Sequence, residues 1–207
     1  THRRQEQQQK EALMREVHHR IKNNLQGLTG LLDREALLNP DAAPALQRAS
    51  QQIQSIQIIH GFQAQAENKG AIDLCQLIRA IVENQQCYTT IPIQFYHPTD
   101  IRNPIISPDQ ATPTALTLNE LLTNAIKHTI DSTRGEITVT LHIANHTVRT
   151  TIENSPARLP SNFDLESSER FGSGLSLTRF LLPRKGGRLT IGQKNQSVIA
   201  EFTLHHR

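Results

Sequence analysis

Two adjacent histidines sit inside one continuous helical pattern, in the stretch REVHHRIKNN at residues 15–24. An imidazole is a nucleophile near neutral pH, and its reactivity depends on what holds its second ring nitrogen. Leu13, Val17, Ile21, Leu25, Leu28 and Leu32 recur at helical spacing around this pair. With Leu13 at zero and about 100° per residue, that apolar stripe centres near about 60°. His18 then falls at about 140°, on the shoulder of the stripe, and His19 at about 240°, opposite it. Glu16 and Asn23, three residues before and four after His19, flank it on the outward face. A carboxylate there can hold the tautomer and take the proton, and an amide can orient a water or a phosphoryl oxygen. His19 is the candidate nucleophile, with Glu16 and Asn23 as its helpers. His18 is expected to pack at the bundle edge.

A second cluster lies in LNELLTNAIKHT, residues 118–129. Asn119, Glu120, Asn124, Lys127 and His128 share a helix with an apolar face of Leu118, Leu121, Leu122, Ala125 and Ile126. Polar groups on so apolar a helix are costly unless exposed or satisfied. A connected face of Glu, Asn, Lys and His can hold a magnesium ion and phosphate oxygens. Farther on, FGSGLSL places Gly172 and Gly174 before a helical pattern, which offers backbone N–H groups to an anion.

The elements that must position these groups fall into two stretches of different character. Residues 4–68 read as helix throughout, broken once by LLNPDAAP at 37–44. This predicts a hairpin: one helix ending near Leu38, a second running from about Pro44 to Asn68. Both carry apolar stripes, the second through Leu46, Ala49, Ile53, Ile56, Ile59 and Phe62. Two helices cannot hide both stripes, whereas pairing with a second copy into a four-helix bundle can. After Gly70 the pattern mixes helices and strands. Helices are expected over IDLCQLIRAIVENQQ, TPTALTLNELLTNAIKHTI and GLSLTRFLLP, and strands over IPIQFYH, GEITVTLHI, HTVRTTIEN, GRLTIGQ and SVIAEFTLHH. One helix layer on one mixed sheet, an α/β sandwich, accounts for that order, and the chain as a whole reads as α+β.

Composition excludes several alternatives. The 207 residues carry 22 basic and 19 acidic side chains for a net charge of +3, too even a balance to argue for nucleic acid. Cys75 and Cys87 lack metal-ligand spacing and read as a reduced, cytosolic pair. His60, His97, His142, His146, His205 and His206 are scattered without metal spacing and are expected at the surface. There is no membrane-length apolar run. Because the chain begins in mid-helix at Thr1, it is expected to be part of a longer, cytoplasmic or membrane-anchored protein with a sensor upstream.

Taken together, EVHHRIKNNLQ and NELLTNAIKH, in that order, resemble the sensor histidine kinases of two-component systems, in the branch marked by HHRxKNNLQ. The resemblance covers nearly the whole chain. It implies a dimerisation and phosphotransfer hairpin over 1–69 and a Bergerat-type ATP-binding domain over 70–207. It implies His19 as phosphoacceptor, Asn124 as the magnesium ligand and Lys127 as a phosphate contact. Glu120 corresponds to an acidic position that related ATPases use as a base. Asn119 and His128 complete that nucleotide-binding stretch, and Gly172, Ser173, Gly174 and Leu175 correspond to the glycine motif of the lid. The implied cofactors are ATP and Mg²⁺, and the implied partners are a second copy of the chain and a response regulator receiver domain, whose aspartate takes the phosphoryl group.

The chain departs from the family in the loop that binds the base. The family reads Asp-x-Gly-x-Gly there, and this chain reads NSPARLP at 154–160. The alternation Val148, Thr150, Ile152, Asn154 and the shared Leu-Pro put Asn154 at the adenine-reading position, while a register one residue earlier would put Glu153 there. Asn can accept from adenine through its carbonyl or donate to guanine through its amide. Pro156 and Arg158 stand where glycines are usual, and Ser176 replaces a further glycine. Two functions remain open: an active kinase, or a nucleotide-impaired pseudokinase serving as a dimeric regulator-binding module or phosphatase.

Overall fold

The computed structural model describes residues 2–66, 71–99, 103–144, 147–161, 163 and 187–205. Helix α1 (His2–Leu38) ends where the apolar pattern meets Asn39 and Pro40. The Asn39 side-chain amide donates to the Glu35 carbonyl at 3.3 Å and to the Glu35 carboxylate at 3.1 Å, alongside the Asn39 backbone N–H on the same carbonyl at 2.9 Å, so Asn39 closes the helix end. Helix α2 (Ala43–Ala66) begins with Pro44 in its first turn, where a missing N–H costs nothing. The stripe on α1 divides lengthwise. Ile21, Leu25 and Leu32, at about 80–120° on the wheel, are half-buried, whereas Leu13, Val17, Leu28 and Leu31, at about 0–60°, stay exposed. The hairpin's buried residues include Thr29, Ala36, Ser50, Ser55 and Ile59. The Thr29 and Ser55 hydroxyls donate to carbonyls of their own helices, so burying them leaves no donor unmet.

The chain divides into two compact units, Thr1–Ile72 and Asp73–Arg207. In the second, the helix expected from Ile72 starts instead at Leu74. Ile72 and Asp73 form the short strand β1 (Ile72–Asp73), and Asp73 caps α3 (Leu74–Gln86) by accepting from the Gln76 amide at 3.0 Å. Strand β2 (Ile93–Tyr96) follows, and β3 (Ile105–Ile106), not foreseen from the sequence, pairs with β1.

Helix α4 (Pro108–His128) starts at Pro108 rather than at Thr112. The signal is Ser107-Pro-Asp-Gln: the Gln110 side chain accepts from the Ser107 amide at 3.1 Å, with Pro108 at the first helical position. Pro113 lies inside the helix. The donor it lacks would have met the Asp109 carbonyl in the first turn, close to the helix start. Nearby, the Thr114 hydroxyl donates to the Gln110 carbonyl at 2.6 Å.

The remaining strands are β4 (Glu136–Ala144), β5 (Thr147–Ser155), β6 (Arg188–Lys194) and β7 (Ser197–His205). They form a five-stranded sheet in the order β2-β4-β5-β7-β6, with β2 and β4 parallel and the other neighbours antiparallel. Alternate residues of three strands are buried: Ile137, Val139 and Leu141; Val148, Thr150, Ile152 and Asn154; Ala200, Phe202 and Leu204. They supply the core together with Leu74, Leu77, Ile78 and Ile81 of α3 and Leu118 and Leu122 of α4. This is the expected helix layer on a mixed sheet. The expected helix over 174–183 lies outside the described residues. No described helix is long and apolar enough to cross a membrane.

Candidate functional site

The last turn of α4 and the strand beside it frame a cavity of about 140 Å³. That is the size at which an apolar cavity accepts an aromatic ring. Leu121, Ala125, Ile152, Val198 and Ala200 give it apolar walls, and Asn124, Lys127, His128, Asn154 and Arg158 bring polar groups to it. A mostly apolar pocket with a few convergent polar groups suits a flat heterocycle carrying charged substituents.

The helix end itself organises the polar side. The Ala125 carbonyl takes three donors: the Thr129 amide at 3.1 Å, the Thr129 hydroxyl at 2.8 Å and Asn154 Nδ2 at 3.3 Å. The C-terminal end of a helix carries partial negative charge, so a further neutral amide donor is favourable there. This bond also orients the Asn154 side chain: its donor end is committed to α4 and its Oδ1 is left as the acceptor end. Glu153, the alternative register, alternates to the opposite side of β5 and is absent from the cavity wall.

Beyond β5 the chain runs through a cis Ser155–Pro156 bond into residues 157–160. The Pro156 carbonyl accepts from the Ile130 amide at 2.9 Å, and Ala157 bridges to Thr129. The turn that follows Thr129 closes tightly on Gly135, where a Cβ would collide with the Thr129 side chain and come within 2.7 Å of the Asp131 carbonyl. Glycine is required there by space. Arg158, Leu159, Pro160 and Phe163 complete the wall. His128 stands at the rim, where burial first and the neighbouring Lys127 second lower its pKa from 6.5.

The candidates from the sequence therefore separate. Asn124, Lys127, His128 and Asn154 meet at one cavity. Asn119 and Glu120 are buried but do not line it. Asn119 Oδ1 accepts from Gln85 Nε2, so that side chain ties α4 to α3. Gly172, Ser173, Gly174 and Leu175 lie outside the described residues. His18 and His19 have helical backbones in α1, and their side chains lie outside the described residues. Glu16 accepts from Arg20 Nε at 2.7 Å in an exposed pair, and Asn23 is exposed. His60, expected at the surface, is half-buried in α2. Cys75 is a buried thiol with its pKa raised to about 11 by burial, whereas Cys87, also expected as a buried thiol, is exposed. The lining residues that the sequence reading did not single out include Arg158, met there only as a missing glycine, and Phe163.

A family model described as histidine kinase matches residues 16–88. Sensor histidine kinase PdtaS, from Mycolicibacterium smegmatis and from Mycobacterium tuberculosis, is 28% identical over 179 residues, or 84% of this chain. The chain spans 35% of the length of those relatives. Among solved structures, the histidine kinase domain of the Erythrobacter litoralis EL346 blue-light activated histidine kinase matches with a TM-score of 0.66 at 16% identity, covering 90% of this chain and 95% of that one. Histidine kinase ThkA in complex with the response regulator protein TrrA matches with a TM-score of 0.58 at 20% identity, covering 95% of this chain and 61% of that one. Both structural likenesses are likenesses of fold.

Proposed function

Because this chain is similar to histidine kinase transmitter regions along most of its length, we propose that it transfers a phosphoryl group from ATP to His19 and on to an aspartate of a response regulator. Residues 1–69 would serve as the dimerisation and phosphotransfer part and 70–207 as the ATP-binding part. The observation that carries the reading is the convergence of Asn124, Lys127, His128 and Asn154 on one ring-sized cavity.

Asn154 Oδ1 accepts from the exocyclic amino group of the base, because its amide end is held by Ala125. That orientation favours adenine, which offers a donor there, over guanine, which offers an acceptor. The Asn124 carbonyl oxygen is a hard donor suited to Mg²⁺ beside phosphate oxygens, and Lys127 is a mobile cation suited to the phosphates, so the donor set fits a magnesium nucleotide. Bound there, the ion would neutralise phosphate charge. A ring nitrogen of His19 forms a bond to the γ-phosphorus as the bond from that phosphorus to the β–γ bridging oxygen breaks. ADP leaves with the electron pair, and the imidazole proton passes to Glu16 or to water. Glu16 can serve because its pair with Arg20 is exposed and worth about 1 kcal/mol or less. Asn23 would orient a water in the reverse, phosphatase direction. Catalysis of this kind is mainly positioning and charge neutralisation.

The test is incubation of the chain with γ-labelled ATP and, separately, GTP, each with Mg²⁺, beside His18→Gln and His19→Gln variants. Acid-labile label with ATP, lost at least about a hundredfold in His19→Gln alone, is expected. Label that persists in His19→Gln would overturn the assignment of the nucleophile, and better labelling from GTP would overturn the reading of Asn154.

A further inference from the structure

Gln193 is an exposed residue of β6 that the phosphotransfer chemistry leaves unused. Its side chain nonetheless makes several hydrogen bonds beside the cavity. Oε1 accepts from the Leu159 amide at 2.7 Å. Nε2 lies 3.1 Å from the Ala157 carbonyl, 3.0 Å from that of Asn195 and 3.1 Å from that of Ser197. Its two hydrogens are shared among three acceptors. One planar amide thus joins the β6–β7 turn, which Asn195 opens in the left-handed region at φ 54°, to the segment after β5. A second bond from the same turn, Ala157 N–H to the Gln196 carbonyl at 2.7 Å, runs alongside.

The segment so held supplies Arg158, Leu159 and Pro160 to the cavity wall. Backbone anchors hold Pro156 and Ala157, and the Gln193 side chain, 34 and 36 residues away, adds the bonds to the Leu159 amide and the Ala157 carbonyl. A loop fixed before the ligand arrives has no ordering cost left to meet on binding. The geometry of the bonds also restricts the residue type. Asn is one methylene shorter, Glu can accept from Leu159 but cannot donate to the three carbonyls, and Met reaches as far with neither function.

We infer that Gln193 is a positioning residue for nucleotide binding, a clamp that presets the wall formed by residues 158–160. The inference rests on the reading of the cavity as the nucleotide pocket. Its effect belongs to binding and not to the chemical step.

The test uses the full chain and Mg-ADP as the probe, with Gln193→Met and Gln193→Glu beside the wild type. The dissociation constant is measured by calorimetry, the labelling rate at saturating ATP by single turnover, and the exchange of the Leu159 amide by NMR. Gln193→Met should weaken ADP binding about tenfold, leave the saturated rate within about twofold, and expose the Leu159 amide to exchange. Gln193→Glu, which keeps the acceptor for Leu159, should fall between. Unchanged ADP affinity in both variants would overturn the inference, as would a loss confined to the saturated rate. Failure of the wild type to bind Mg-ADP would instead overturn the nucleotide reading, and the inference with it.

Discussion

In the sheet unit Leu118, Leu122, Ile137, Leu141 and Phe202 are hidden from solvent, whereas in the hairpin Leu13 remains 66% exposed, Leu31 58% and Leu28 48%. The sheet unit completes its core from its own chain. It also satisfies its cavity by itself, with the Asn154 amide on Ala125 and the Gln193 amide on residues 157–159. The hairpin buries one edge of its stripe and leaves the other edge bare. Exposed leucines at helical spacing, such as Leu28 and Leu31, are what a covering surface would bury. His19 falls about 180° from the centre of that stripe on the helical wheel, so covering the leucines would leave the proposed nucleophile's side of the helix free. One unit encloses its core apolar side chains within its own chain, and the other leaves part of its apolar stripe exposed.

The sharpest way to break this contrast is to mutate one leucine in each unit. Leu122→Ala should destabilise the sheet unit by about 2–5 kcal/mol, because a buried side chain is replaced by a cavity. That loss should be the same at every protein concentration. Leu28→Asp should leave folding of the sheet unit unchanged and weaken self-association instead, by about a hundredfold, as a charge enters the proposed apolar seam. Urea titration followed by sedimentation equilibrium at several concentrations separates the two effects. A Leu28→Asp chain that associates as the wild type does would dissolve the contrast.

A smaller effect is expected where the two units carry asparagines in different roles. Asn154→Asp replaces a donor by a carboxylate oxygen facing the Ala125 carbonyl, 3.3 Å from the present nitrogen. The lost bond and the repulsion at a helix C-terminus should cost about 1–2 kcal/mol. Asn23→Asp on the exposed face of α1 should stay within about 0.5 kcal/mol. Equal midpoints for the two variants would mean that Asn154 is not anchored, and the argument for adenine would go with the anchor.

The same contrast explains how much could be read from the sequence. Short-range patterns carried their information openly. LLNPDAAP ended α1 at Leu38, and the alternation through Val148, Thr150, Ile152 and Asn154 gave the buried side of β5. The helix expected from Thr112 starts at Pro108, where Ser107-Pro-Asp-Gln signals it, and Pro113 is accommodated inside the helix. The short ladder of β1 with β3 has too few residues to show a period. Asn119 and Asn124 look alike in NELLTN, yet one bonds Gln85 and the other lines the cavity, a distinction set by a neighbouring helix. Gln193 lay beyond reach altogether. An exposed glutamine in a strand carries no sign of the loop it holds.

The smallest expected effect concerns His128. Its pKa is lowered by burial and then by Lys127, and Arg158 adds positive charge on the same cavity. The unfolded chain takes up this proton near the ordinary value of 6.5, while the folded chain resists it. Stability tied to the neutral ring is therefore complete above 6.5 and is lost as the pH falls from there through the lowered value. The difference in Tm between wild type and His128→Gln should be constant above about pH 7 and move in favour of the variant below about pH 6. A phosphate bound beside Lys127 would favour the protonated ring, so saturating Mg-ADP should shrink that movement. A difference that stays flat across the range would put the ring fully in water and remove His128 from the desolvated rim of the site.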